Sequence, residues 1–358
     1  MRVVVCGGGV IGAAVAYYLS RRGVGATVVE RSAVACAASG KSGGFIARDW
    51  CDGQPQAALA RLSFALHGEL AQELGWDYGY RALQTLSVAA SQRRDLAAYS
   101  RAPVPDWLSP ACAVAGVIGD ETSTAQVHPE RFTRALMDAA VAHGAQLRHG
   151  CVDGLLSSAD GSAVRGVSVD AQPLHADAVV IAMGPWSDAF RGALGLPAIG
   201  GLKGYSIILE PRTPVPAQAL FVDYECSNGD RPSPEIVPRP DGRVWLCGMP
   251  GDDALPADPA RVRVDATACA ELARIAAQLS PALAGARIVA SQACYRPICA
   301  DAMPLIGRAP AAEGAFVATA HNCWGMLNAP ATGLAMSELL LDGAAACVDL
   351  APLDPARR

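Results

Sequence analysis

Val3-Val4-Val5-Cys6-Gly7-Gly8-Gly9-Val10-Ile11-Gly12 opens a unit that runs on to Glu30, and its reading decides the fold. The β-branched run at 3–6 suits a buried parallel strand. A glycine-rich turn follows, then a helical stretch over 13–22 with Ala, Val and Leu on one face, closed by Gly23. Ala26-Thr27-Val28-Val29 reads as a second strand and Glu30 ends it. The three glycines of the motif serve different ends. Gly7 permits the tight turn, Gly9 lets backbone approach a pyrophosphate, and Gly12 allows close helix–strand packing. The helix start at Val10 and Ile11 presents free N–H groups and a positive dipole end to phosphates. Glu30 can accept hydrogen bonds from a ribose diol. Strand, turn, helix, strand and acid in register predict a Rossmann-type dinucleotide site. The entrance by itself serves NAD and FAD alike.

Composition narrows the class. Of 358 residues, 51% are hydrophobic and 18% charged, which excludes a disordered chain. Basic residues number 29 against 34 acidic, a net charge of −5 without clustered positive charge, so no nucleic-acid partner is expected. The twelve cysteines form no C-x-x-C pair and no His pair has finger spacing, so no metal site is expected. Scattered in this way, they read as small buried hydrophobes in a reducing compartment. Two stretches, 3–20 and 314–337, are almost free of charge. Gly7-Gly8-Gly9 interrupts the first, while His321, Asn322, Asn328 and Pro330 spoil the second as a membrane span. A cytoplasmic protein without a membrane span is expected. Gly40-Lys41-Ser42 looks like the tail of a P-loop, but Ala35 stands where that motif requires glycine. Lys41 and Lys203 are the only lysines, both in glycine-rich turns, and each is a candidate ligand contact.

Several separated motifs resemble the FAD-dependent D-amino-acid oxidase superfamily, which includes glycine oxidase and monomeric sarcosine oxidase. Ser39-Gly40-Lys41-Ser42-Gly43-Gly44-Phe45 looks like that family's loop beside the flavin and its phosphates. Gln126-Val127-His128-Pro129, a helix opening at Glu130 and an apolar strand reaching Val152 resemble its second adenine-side unit. The run from Ala178 through Gly184-Pro185-Trp186-Ser187 is similar to its late strand and turn over the cofactor. The C-terminal block, with Arg296-Pro297, Asp301-Ala302-Met303-Pro304-Leu305-Ile306-Gly307 and the stretch through Trp324-Gly325-Met326-Leu327 to Gly333, resembles glycine oxidase segment by segment.

The resemblance implies FAD as cofactor. It adds Arg31, Ser39, Lys41, Ser42, Gly43, Gly44 and Val152 to the contacts expected of Gly7, Gly9, Val10, Ile11, Gly12 and Glu30. It also implies Gly184, Trp186, Trp324, Gly325, Met326 and Leu327. Proline at Ala329-Pro330 suits a first helical turn, so a helix is predicted from there to Asp342. Its N-terminus would stabilise negative charge at the flavin pyrimidine edge. Cys294 stands where sarcosine oxidase has a cysteine bonded to flavin; it is the candidate for covalent attachment, and non-covalent FAD is favoured.

On the substrate side, Arg296 follows a strand-like run at 288–290 and precedes proline. A guanidinium at a strand end can grip a carboxylate through two parallel hydrogen bonds. The alternative is a structural salt bridge with Asp301. The resemblance implies an amino- or imino-acid substrate held by Arg296. Glu235 stands where glycine oxidase has tyrosine, and it either pairs with a cationic substrate or is solvated. Cys323 replaces an arginine, and 244–248 lacks the oxygen-activating lysine of sarcosine oxidase, so the acceptor is O2 or another. Lys203, Tyr205 and Tyr224 are further candidates for pocket contacts, although the tyrosines suit a core equally well.

The expected fold is α/β. A Rossmann-type FAD-binding domain with a central parallel sheet draws on 1–48, 122–200 and 288–358. A substrate domain of α+β character, with a mixed or antiparallel sheet, draws on 49–121 and 201–287. Strands are predicted at 202–209 and 244–247, and a helix over 266–279. The expected function is oxidation of the C–N bond of a small amine or amino acid, by hydride transfer to flavin N5. The alternatives are a dehydrogenase passing electrons to a quinone or carrier protein, and a non-catalytic adaptor holding flavin.

Overall fold

Strict alternation along Val3–Cys6 joins two layers. Val3 and Val5 face a helical layer, while Val4 and Cys6 face a small antiparallel sheet, and all four side chains are buried. The computed structural model describes residues 1–75 and 78–357. Val3–Cys6 pairs in parallel with Thr27–Glu30 on one side and Ala178–Ile181 on the other. The sheet extends to Gln146–His149 and Ala315–Thr319, with Leu305–Arg308 antiparallel at one edge. On one face lie the helices Val10–Arg21, Ala57–Glu73, Pro129–Ala142 and Gly325–Leu341. The other face carries the antiparallel strands Val152–Ser157, Val164–Val169 and Gln172–His175. The predicted Rossmann-type α/β core is present.

A second sheet of seven strands runs in the order 287–298, 200–210, 244–251, 235–238, 218–225, 84–91 and 113–119. Its pairings are antiparallel except that of Gln84–Ser91 with Gln218–Glu225. One face packs on helix Ala266–Leu279 through Leu272, Ile275 and Leu279. The other turns toward the first sheet, with Ile208, Val237 and Trp245 meeting Phe45. Two stretches lie apart from the sequence division. Residues 287–298, placed from 288 onward with the FAD unit, form a strand bonded along Gly200–Glu210 in the second sheet. Helix Ala57–Glu73, placed with the substrate unit, sends Leu59, Ala60 and Leu70 into the first core.

The C-terminal helix corrects another expectation. It starts at Gly325 rather than at Ala329-Pro330, so Pro330 lies inside it. Proline donates no hydrogen bond, which orphans the Met326 carbonyl one turn back. Ala331 then donates its N–H to Ser63 Oγ at 3.0 Å instead of to the Leu327 carbonyl. Both freed carbonyls are met by one group: His67 Nε2 lies 3.0 Å from the Met326 oxygen and 3.2 Å from the Leu327 oxygen. Carbonyls only accept, so Nε2 carries a proton, while the buried Nδ1 has no partner among the described residues. Burial pushes the His67 pKa down to about 4. A proline that would end an isolated helix is accommodated here because another helix repairs the ladder.

Replacing His67 by Phe leaves two buried carbonyls unmatched and should cost about 3 kcal/mol in a denaturant melt, whereas His67→Gln, which still donates, should cost about 1 kcal/mol. The unfolded imidazole binds a proton near pH 6.5 and the folded one only near 4, so wild-type stability should fall with decreasing pH in that window. The slope due to His67 is about 1.4 kcal/mol per pH unit, and His67→Gln should remove that share.

Candidate functional site

The turn after the first strand is built from backbone in close approach. Gly7 has φ +108°, and a Cβ on Gly12 would stand 2.0 Å from the Gly7 carbonyl oxygen. Helix Val10–Arg21 therefore starts directly on the strand end, capped by no side chain of Gly9. Ser39 Oγ accepts the Val10 N–H at 2.9 Å. Glu30 accepts from Gly8 N–H at 2.7 Å and from Ser32 N–H at 2.8 Å, which fixes its carboxylate at the end of the second strand. The 39–44 loop is pressed between the start of helix Pro129–Ala142 and the second sheet. A Cβ on Gly44 would sit 1.9 Å from the Val127 carbonyl oxygen, and one on Gly43 would meet the Trp245 ring at 2.7 Å.

These elements line a cavity of about 670 Å³. Glu30, Arg31, Cys151 and Val152 line part of it, followed by Gly7, Gly9, Val10, Ile11, Ser39, Lys41, Ser42, Gly43 and Gly44. Gly184, Trp186, Trp324, Gly325 and Met326 continue the wall, which also includes Arg296, Glu235, Lys203, Tyr205 and Cys294. Gly12 and Leu327 are not on it. Gly12 lies beneath, packed on Gly7, and Leu327 is wholly buried in the helical core. Tyr224 faces the core of the second sheet, with its hydroxyl 2.5 Å from Gln278 Oε1.

The donor set fits a dinucleotide. A helix N-terminus without an N-cap side chain faces the cavity, its first N–H at Val10 taken by Ser39 Oγ, and an acid stands at the adjacent strand end. Among the described residues the buried Ser42 Oγ on the wall has no hydrogen-bond partner, nor does Asn322 Oδ1 where the wall reaches the C-terminal helix. His321, also on the wall, bonds through Nε2 to Thr332 Oγ1 at 3.1 Å, and burial pushes its pKa down to about 3. Ala320 and Asn322 on either side hold φ of +60° and +51°. Non-glycine residues in that region are strained, a cost that clusters at ligand sites.

Register explains which side chains of the second sheet reach the cavity. Ser206 opposes Cys247, Cys247 opposes Glu235, and Glu235 opposes Phe221, so the four share one face. Gln292 opposes Ser206, and Cys294 and Arg296 follow at alternate positions on that same face. Burial pushes the Glu235 carboxyl above its ordinary value, and the Arg296 guanidinium opposes the shift. Arg296 has no ion-pair partner within 4.0 Å among the described residues. Asp301, its alternative partner, is bound instead by Arg357 at 2.9 Å. Burial raises the Cys294 thiol, against the pull of Lys41 and Arg296. Lys41 Nζ donates to the Ala293 carbonyl at 3.1 Å.

Lys203 and Tyr205 lie on the opposite face from Arg296, because Lys203 opposes Tyr295. There Lys203 pairs with Asp253, and the Tyr205 hydroxyl lies 3.3 Å from the same carboxylate. The Tyr295 hydroxyl donates to the Asp253 and Ala254 carbonyls, each at 2.9 Å. Trp186 Nε1 donates to the Pro256 carbonyl and Arg31 to the Ala257 carbonyl, both at 2.7 Å. Five side chains thus strap the irregular segment 252–258 along the cavity. Sequence reasoning missed Asp253, which no local motif marks. It also missed an aromatic wall in which Trp50 and Phe221 lie 4.7 Å apart and Trp50 and Trp324 lie 6.3 Å apart.

Comparison with known proteins gives the cofactor. The DAO signature, described as FAD dependent oxidoreductase, matches residues 2–339. The chain belongs to the DAO family of FAD-dependent oxidoreductases. A Schizosaccharomyces pombe protein named only as an oxidoreductase is 30% identical, over 99% of this chain and 97% of its own. Glycine oxidase of Geobacillus kaustophilus is 29% identical over 99% of this chain and 96% of its own. The crystal structure of glycine oxidase from that organism superposes with a TM-score of 0.82 at 26% identity, covering 100% of this chain and 99% of that one. This DAO-family enzyme therefore uses FAD, and the resemblance read from the motifs holds.

Two outcomes test the cradle. Gly12→Ala should abolish bound flavin and lower stability by several kcal/mol, whereas Gly192→Ala, with nothing within 4 Å, should change neither. Asp253→Ala removes the Lys203 and Tyr205 contacts to the strap and should speed flavin release on dilution by about tenfold, read by the recovery of flavin fluorescence.

Proposed function

We propose that this enzyme oxidises the C–N bond of a small amino acid whose carboxylate is held by Arg296. The observation that carries this reading is a guanidinium on the cavity wall without a carboxylate partner among the described residues, while Asp301 is engaged by Arg357. A planar cation in that setting suits a bidentate carboxylate. Phe221, Trp50 and Trp324 supply an apolar wall that excludes water from the bound substrate. FAD, when bound, would supply the two-electron acceptor for oxidation of the carbon beside the amine. Gly7, Gly9, Val10, Ile11, Ser39, Ser42 and Glu30 would hold its dinucleotide portion, and the helix start at Trp324, Gly325 and Met326 would face its ring system. Arg296 fixes one end of the substrate, so the C–H bond to be broken has a set direction.

The flavin is proposed to be non-covalent, because burial keeps the Cys294 thiol protonated and a thiolate is needed for attachment. The cavity-facing Cys247 lies on a strand without lysine, Val244–Gly251, which favours an electron carrier over O2 as acceptor. All twelve cysteines are free and no described helix is long and apolar enough to cross a membrane, in keeping with a proposed cytoplasmic location. The two sheets are proposed as the cores of an FAD unit and a substrate unit.

Anaerobic addition of amino acids should bleach the visible flavin band. Arg296→Met should raise the concentration needed about 100-fold, with Arg296→Lys recovering part of the loss. Bleaching by simple amines as readily as by amino acids would contradict the carboxylate role.

A further inference from the structure

Glu235 is an acid that the fold leaves without a partner. It stands on the short strand Glu235–Pro238, directly opposite Cys247 on one side and Phe221 on the other, and its side chain lines the cavity. No hydrogen bond or ion pair within 4.0 Å engages its carboxylate among the described residues. The titratable and charged groups that face it are Arg296 from the outermost strand, Cys247 from the adjacent strand and Cys323 from the turn Asn322–Trp324. Of these only Arg296 carries charge near neutrality, since burial raises both thiols. The cavity therefore holds one cation and one carboxylate on the same sheet face that feel each other without forming an ion pair.

An α-amino acid matches that arrangement. Its carboxylate and its nitrogen are attached to a single carbon, so a carboxylate on Arg296 brings the ammonium close to the acid. In solution the nitrogen is protonated and has no lone pair, and the C–N bond cannot be oxidised in that state. We propose that Glu235 is a catalytic residue that accepts the proton from the substrate ammonium. This rests on the amino-acid reading given above. One N–H bond breaks, its electron pair stays on nitrogen, and the proton passes to a Glu235 carboxylate oxygen. The α C–H electron pair then leaves as hydride to FAD, and the nitrogen lone pair completes the C=N bond. The proton on Glu235 returns to solvent as product departs.

The environment makes the acid a better base than an exposed glutamate. Burial disfavours its ionised form, and Arg296 is what restrains the shift. A substrate carboxylate on Arg296 neutralises that restraint, so Glu235 becomes more basic as substrate binds. The sign for rate follows. Ionised Glu235 is the active form, so flavin reduction should rise with pH through its pKa and then level off.

The experiment is stopped-flow flavin reduction by an amino acid that bleaches the wild type, from pH 6 to 10, with holoenzyme of wild type, Glu235→Gln and Glu235→Asp. Binding of acetate, read from the flavin absorbance shift, monitors the Arg296 pocket in each. The expected result is acetate affinity close to wild type in Glu235→Asp and equal or tighter in Glu235→Gln, which lacks the carboxylate charge that opposes acetate, with reduction by Glu235→Gln about 100-fold slower at pH 7. Its rate should climb about tenfold per pH unit without the wild-type plateau, as the amine loses its own proton, and Glu235→Asp should restore a plateau. A Glu235→Gln profile parallel to wild type overturns the proposal, as does loss of acetate binding with the rate. Wild-type flavin that no amino acid reduces overturns the amino-acid reading and the role of Glu235 together.

Discussion

Backbone-to-backbone approach closer than any side chain allows is the constraint on which this site depends. Gly12 rests on the Gly7 carbonyl, Gly44 on that of Val127, and Gly333 on the backbone of Ala14. The last contact lets helix Gly325–Leu341 lie directly against helix Val10–Arg21, so the two ends of the chain meet at one cavity. Without these approaches the helix starts would stand back from the space between the sheets, and their N–H groups would lose their aim.

Close packing leaves polar groups stranded, and their satisfaction shapes the rest. The helix interrupted by Pro330 is held by His67 and Ser63, whose only side-chain hydrogen bonds among the described residues repair damage done by that proline. Its first turn, which reaches the cavity at Trp324, Gly325 and Met326, is thereby set by a helix more than 250 residues earlier in the chain. The strap at 252–258 works similarly, tied through its backbone carbonyls and Asp253 by side chains from four separate segments.

Charge is sorted by the two faces of the second sheet. On one face Lys203 and Asp253 neutralise each other beside two tyrosine rings, and Lys203 Nζ lies 4.9 Å from the Tyr205 centroid. On the other, Arg296 and Glu235 form no ion pair among the described residues. The fold thus uses one cation to hold structure and leaves the other without an ion-pair partner among the described residues, and the single-residue alternation between Tyr295 and Arg296 makes the difference.

The entrance was legible in the sequence because everything that forms it is local: strand, glycines, helix and acid lie within thirty residues and obey strict periodicities. Arg296 and Glu235 were legible as types of group, since a guanidinium at a strand end and an acid before a strand imply chemistry wherever they fall. What was hidden depended on partners far along the chain. The helix start moved from Ala329 to Gly325 because His67 and Ser63 accommodate Pro330, and no window around the proline contains them. Lys203 is turned away from the Arg296 face because its strand register with Tyr295 points it toward Asp253. Local sequence determined which backbone shapes were affordable; tertiary packing decided which polar groups were matched and which were left open to a ligand, because burial makes every unmatched group costly.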